Sequence, residues 1–139
     1  MGPSGTYNCL NDQKGQGMKY SLEIRQKEQY ISVVTEGDLT ARNIGDMGRD
    51  FVQKEVETGI RKVLLDIRKS RVKAGFLDAF TYTTSSKIPI LPGEKNAILV
   101  DPKSPDLLKI RIYMLQSTAC GLHVRKFTDE KEALEWLLG

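Results

Sequence analysis

The sequence predicts an α/β domain with the element order ββαβαβαβα: a mostly parallel sheet with an antiparallel N-terminal edge strand and helices packed against it. Three observations carry this expectation. Tyr20, Leu22 and Ile24 alternate with Ser21, Glu23 and Arg25, the period of a half-buried strand. The short apolar runs VLLDI at 63–67 and AILV at 97–100 suit strands covered on both faces of a parallel sheet. Helical spacing bounded by capping residues fills the intervals between the later strands. Strand–helix–strand units cross over with a right hand, so the last four strands should run parallel.

Each element has a local reason. Residues 19–25 and 30–35 are separated by little more than Lys27, Glu28 and Gln29, which makes them a β-hairpin. Gly37 and Asp38 should end the second strand. Thr40 can then cap a helix in which Ile44, Met47, Phe51, Val52 and Val56 recur at spacings of three and four, with Gly59 closing it. After the strand at 63–67 comes a basic loop, then a helix over 75–83 carrying Phe76, Leu77, Ala79, Phe80 and Tyr82. A loop through Pro89 and Pro92 leads to the strand at 97–100. Ser104, Pro105 and Asp106 read as a cap, a proline at the first helical position and an acid on the positive end of the dipole. The helix they open fits an inward stripe of Leu108, Ile112, Leu115 and Ala119, although Ile110, Ile112 and Met114 alternate like a strand; its length, cap and Gly121 favour helix. A strand at 124–127 and a last helix, capped at Thr128-Asp129-Glu130 with Ala133, Leu134, Leu137 and Leu138 inward, complete the order.

Composition bounds the function classes. The chain has 139 residues, 40% hydrophobic and 28% charged, which suits one domain of ordinary size able to hold a core without staples. Residues 1–17 carry four Gly and one Pro with scattered apolar side chains, and read as a flexible arm; 18–139 is then the folded domain. There is no apolar run of about 18 residues and no apolar signal-peptide core, so the expectation is a cytoplasmic protein with no transmembrane segment. A net charge of +3 is too mild to announce nucleic-acid binding.

Catalytic ingredients are sparse. Cys9, Cys120 and the single His123 cannot make a zinc set, and no cofactor or metal is expected. His123 has no Gly-x-Ser-x-Gly elbow to serve, no phosphate-binding glycine loop is present, and a structural or solvent-facing imidazole is the simpler reading. Cys120, at a helix C-terminus where the dipole disfavours thiolate, reads as a packed small residue. The hydroxyl-rich run from Tyr82 to Ser86 reads as a helix-terminating loop rather than a phosphate acceptor. Trp136 lies off the inward stripe of the last helix, and covering it would favour a homodimer.

The element order, the TEGDLT after the second strand, the KVLLDI strand and the closing HVRKFTDEKEALEWLL resemble the STAS-like superfamily, which includes bacterial anti-sigma-factor antagonists. They look closest to its small bacterial branch of STAS/CRAL-TRIO-like proteins of unknown function. The resemblance spans about residues 18–139. Antagonist-type members carry Asp-Ser-Ser-Gly about eight residues after the Asp of the third strand; counted from Asp66, this chain has Ala74, Gly75, Phe76 and Leu77 there, so the phosphorylation switch has no matching residue.

One local feature stands out from the mild average charge. Six of the 21 basic residues, Arg61, Lys62, Arg68, Lys69, Arg71 and Lys73, fall within a short stretch around Asp66. Residues 68–75 would lie at the carboxyl end of a parallel strand, where open α/β sheets bind ligands and helix N-termini attract anions. The expected function is therefore a non-enzymatic regulatory or binding domain. It would dock a partner protein or a small anionic ligand at the loops 36–38, 68–75 and 101–104. The candidate contacts are Asp38, Arg68, Lys69, Ser70, Arg71, Lys73, Gly75, Phe76 and Phe80. The alternative is a carrier of an apolar or lipid-like ligand on Phe76 and Phe80, as the CRAL-TRIO comparison implies; a small hydrolase using His123 is the least favoured reading.

Overall fold

A computed structural model describes residues 5–11, 18–73 and 91–139. Three strands begin it as a meander: β1 (Gly5–Asn11), β2 (Met18–Arg25) and β3 (Tyr30–Leu39), each antiparallel to the next. The β2–β3 register, Arg25 opposite Tyr30, is set by a loop in which Gln29 takes a left-handed φ of 68° and donates its backbone N–H to the Arg25 carbonyl (2.7 Å). Then β4 (Lys62–Val72), β5 (Lys95–Leu99) and β6 (His123–Phe127) add in parallel, giving six described strands in the order β1-β2-β3-β4-β5-β6. The last four strands are parallel, as predicted. The expected arm differs: Gly5–Asn11 is a strand, so β1 and not the 19–25 strand forms the antiparallel edge. Its pairing rests on backbone hydrogen bonding to β2, which needs no apolar alternation.

The helices within the described residues are α1 (Ala41–Thr58), α2 (Leu107–Ala119) and α3 (Glu130–Leu138); the helix expected over 75–83 lies outside them. Thr40 caps α1 by accepting the Asn43 N–H (3.2 Å), and Gly59 ends it at φ 78°, a left-handed turn that a residue with a Cβ enters at a cost. Thr40→Ala is expected to lower stability by about 1 kcal/mol, read as a lower urea midpoint with an unchanged slope.

Adjacent residues of the central strands serve opposite faces. Val63 and Ile98 join Leu22, Ile31, Val33, Met47 and Ile110 in the core under α1 and α2, whereas Leu64 and Leu99 join Tyr30, Ala97, Ala133 and Leu137 under α3. Two-sided burial is why these strands read as unbroken apolar runs.

Four expectations about faces need correction. α2 turns Leu107, Ile110, Met114 and Ser117 inward, while Leu108 and Leu115 are 68% and 61% exposed. Val56 of α1 and Leu138 of α3 also face solvent. Cys120, at the end of α2, is exposed rather than packed. Trp136 is half-buried: its ring meets His123 edge-on at 5.1 Å and Phe127 at 5.6 Å, and the Lys95 ammonium sits 4.4 Å above it while donating to the Trp136 carbonyl (2.6 Å).

Candidate functional site

The basic stretch is a strand and not a loop. Residues 68–72 continue β4, pairing Lys69 with Glu36, Ser70 with Gly37, Arg71 with Asp38 and Val72 with Leu39. Gly37 and Asp38 likewise stay within β3, because φ 101° at Gly37 bends the strand without ending it. β5 pairs with β4 only as far as Asp66, so the ends of β3 and β4 run on as a two-stranded ribbon.

A register shift at the foot of this ribbon, between Val34 and Glu36, gives β4 one extra residue. Polar side chains hold that irregularity. Asp66 accepts the Arg68 backbone N–H (3.0 Å) and both arms of its guanidinium (2.9 and 2.7 Å), and Glu130 lies 3.6 Å from the same cation. Fully buried Thr35 donates to the Asp66 carbonyl (3.3 Å), and its hydroxyl lies 2.6 Å from the Ser70 hydroxyl. Burial works to raise the Asp66 carboxyl, but the hydrogen bonds from Arg68 outweigh it and hold the group below the usual carboxylate range.

At the tip, Asp106 closes the ribbon onto α2. It stands at the N-cap position of α2 but spends its side chain elsewhere. Although it is only 2% exposed, its carboxylate accepts Arg71 Nε (2.8 Å), a longer bond from Arg71 Nη2 (3.4 Å) and the Val72 N–H (2.9 Å). Lys109 approaches to 3.9 Å and donates to the Val72 carbonyl (3.3 Å), while the Ser104 hydroxyl accepts the Asp106 N–H (3.1 Å). The Arg71 hydrogen bond, aided by Val72, pulls the Asp106 carboxyl down against the effect of burial. A carboxylate lowered in the folded state stabilises above its ordinary titration range and loses that contribution as pH falls through the folded value.

The structure thus joins the three expected segments at one end of the sheet: Asp38 and Arg71 side by side on the ribbon, with Ser104 and Asp106 against its tip. It also sorts the cations. Arg68 and Arg71 are committed to carboxylates, and Arg61 to the carbonyls of Glu55 and Ile60. Lys69 and Lys73 are exposed, with no ion pair to an acid among the described residues. Lys73 is fixed through its backbone, whose N–H donates to the Leu39 carbonyl (3.0 Å). Gly75, Phe76 and Phe80 lie outside the described residues, as do the positions matched against the antagonist motif. His123 is exposed at the far end of β6 and its ring packs on Trp136. Asp106 and Lys109, which hold the end of β4, were not among the candidate contacts. Nothing in the SPD run reveals that its acid serves a strand 35 positions earlier.

No protein-family model and no curated protein matches this sequence. Two solved structures share its architecture. An uncharacterized protein of the DUF3478 family with a SpoIIAA-like fold, from Shewanella loihica PV-4, aligns with a TM-score of 0.54 at 18% identity, over 87% of this chain and 94% of that one. The anti-sigma factor antagonist SpoIIAA in its unphosphorylated form aligns at 0.52 and 12% identity, over 86% and 98%. The fold is STAS-like. Within this STAS-like fold, the clasped ribbon lies at the carboxyl ends of the parallel strands, where ligands of open α/β sheets gather. No helix among the described residues is long and apolar enough to cross a membrane.

Proposed function

We propose that this chain is a non-enzymatic binding domain that docks the acidic face of a partner protein on the β3–β4 ribbon. The observation that carries the reading is the row Lys69, Arg71 and Lys73: exposed alternate residues at the end of β4 and just beyond it, of which Lys69 and Lys73 form no salt bridge among the described residues. A small anion needs cations that converge. Here Arg68 and Arg71 are already bound to Asp66 and Asp106, and the Lys69 and Lys73 ammonium groups, in no salt bridge among the described residues, are spread along the end of the ribbon, which suits an extended protein surface better. The architecture shared with SpoIIAA, an antagonist of an anti-sigma factor, supports a protein partner over a chemical transformation. Arg71 gives the row its rigidity rather than its free charge.

The test is charge reversal at the two free positions. Lys69→Glu combined with Lys73→Glu is expected to weaken partner binding about tenfold, mostly by slowing association, and to leave Tm within about a degree because neither ammonium holds the fold. Unchanged affinity in the double variant would overturn the reading. Reversing Arg71 would be a poor substitute, since it would also free the buried Asp106 carboxylate.

A further inference from the structure

We propose that Glu55 and Glu94 form a proton-dependent clasp between the last turns of α1 and the turn leading into β5, closed by one shared proton and loosened when that proton is lost. Glu55 is fully buried, and neither of its carboxylate oxygens receives a donor from the described residues. Glu94 is 7% exposed; it closes the turn at 91–94, donating its N–H to the Leu91 carbonyl (3.1 Å) and accepting the Leu91 N–H on Oε1 (3.0 Å). Gly93, at φ 80°, gives that turn the conformation that Pro-Gly sequences adopt.

Arg61 ties the two acids into one cluster. Its guanidinium donates to the Glu55 carbonyl (2.6 Å) and the Ile60 carbonyl (3.2 Å), and its own carbonyl accepts the Lys95 N–H (2.9 Å). The nearby cation is therefore bonded to backbone oxygens and not to the carboxylates. Two ionised carboxylates in one buried cluster are acceptors without a donor, and they repel. One proton turns the contact into an O–H···O hydrogen bond. Burial first, then the charge of Glu94 and the hydrogen bond with it, push the Glu55 carboxyl up to about 8, against the pull of Arg61; burial raises Glu94 as well. The charged groups facing the pair are Arg61, from the segment between α1 and β4, and the two acids themselves, one on α1 and one on the turn.

The direction of the pH dependence follows from linkage. The closed clasp keeps its proton up to about pH 8, whereas an opened, solvated Glu55 releases it in the ordinary glutamate range. Opening therefore liberates a proton between those limits. Its equilibrium constant should rise about tenfold per pH unit from about pH 5 to 8 and level off above. The clasp is tight in acid and loosest in mild alkali.

Native-state hydrogen exchange at the backbone N–H groups of Glu94 and Lys95 reads this opening directly, once corrected for the intrinsic rate. Protection at both sites is expected to fall about tenfold per unit between pH 6 and 8, more steeply than at Ile31 or Val33 in the core. In Glu55→Gln, whose amide supplies a permanent donor to Glu94, the dependence should vanish. Glu55→Met, which removes the buried titrating carboxyl altogether, gives the same reading should the first variant fail to fold. A flat profile in the wild type, or one shared by wild type and variant, would overturn the proposal.

Discussion

Asp106→Ala should destabilise the domain by about 3 kcal/mol, the cost of removing one partner from a buried, multiply bonded ion pair. The substitution takes the acceptor from Arg71 and from the Val72 N–H, and leaves Lys109 without its nearest acid. Because the arginine is about half exposed, water recovers part of its loss; the orphaned Val72 N–H sits where solvent reaches less easily. Asp106→Asn keeps one acceptor oxygen and should lose about half as much. Arg71→Ala should lie below Asp106→Ala, since the carboxylate retains Val72 and Lys109. Urea denaturation of the three variants checks the order. If Arg71→Ala proved the most damaging, the brace would depend on the cation and the description of Asp106 as its centre would be wrong.

Leu137→Ala is expected to cost about 3 kcal/mol, for a different reason. One face of the sheet is covered by α3, a helix of nine residues, through Ala133 and Leu137, both fully buried. Truncating the leucine opens a void between Tyr30, Leu64, Ala97 and Leu99 that a helix this short cannot close by tilting without disturbing its neighbours. Trp136 reports the result, because its ring depends on α3 for contact with Phe127, His123 and Lys95. A red-shifted Trp136 emission should therefore accompany the lower Tm. A fall in Tm with unaltered emission would mean that the damage does not reach this cluster.

The parts of the fold that were legible in the sequence are those with local causes. Thr40 and Gly59 bound α1 by their own side-chain and backbone preferences, and the apolar runs at 63–67 and 97–100 announced strands buried on both sides. What was hidden depended on distant partners. Arg68 to Val72 look like a charged loop until β3 is laid beside them; as strand residues, Lys69 to Val72 pair in register with Glu36 to Leu39 in a parallel ladder. β1 has too few apolar side chains to signal a strand and owes its form to β2. α2 carries two apolar stripes, and only the sheet chooses Leu107, Ile110 and Met114 over Leu108, Ile112 and Leu115. The partial cover of Trp136 was hidden because Lys95, which lies over its ring, comes 41 residues earlier.

The same distinction applies to the site. The sequence showed the cluster of charge and the loops that the fold brings to one end of the sheet, but not which cations pair with carboxylates. Asp66 and Asp106 are what convert a run of six basic residues into a braced ribbon on which Lys69 and Lys73 form no salt bridge among the described residues.

The central claim is that this ribbon docks an acidic protein surface. Native mass spectrometry of the chain purified from the cells that produce it, at low and raised salt, tests that claim most directly. The account predicts a bound protein mass that dissociates as ionic strength rises and is absent from the Lys69→Glu, Lys73→Glu variant. A retained small-molecule mass that survives high salt in both forms would contradict it.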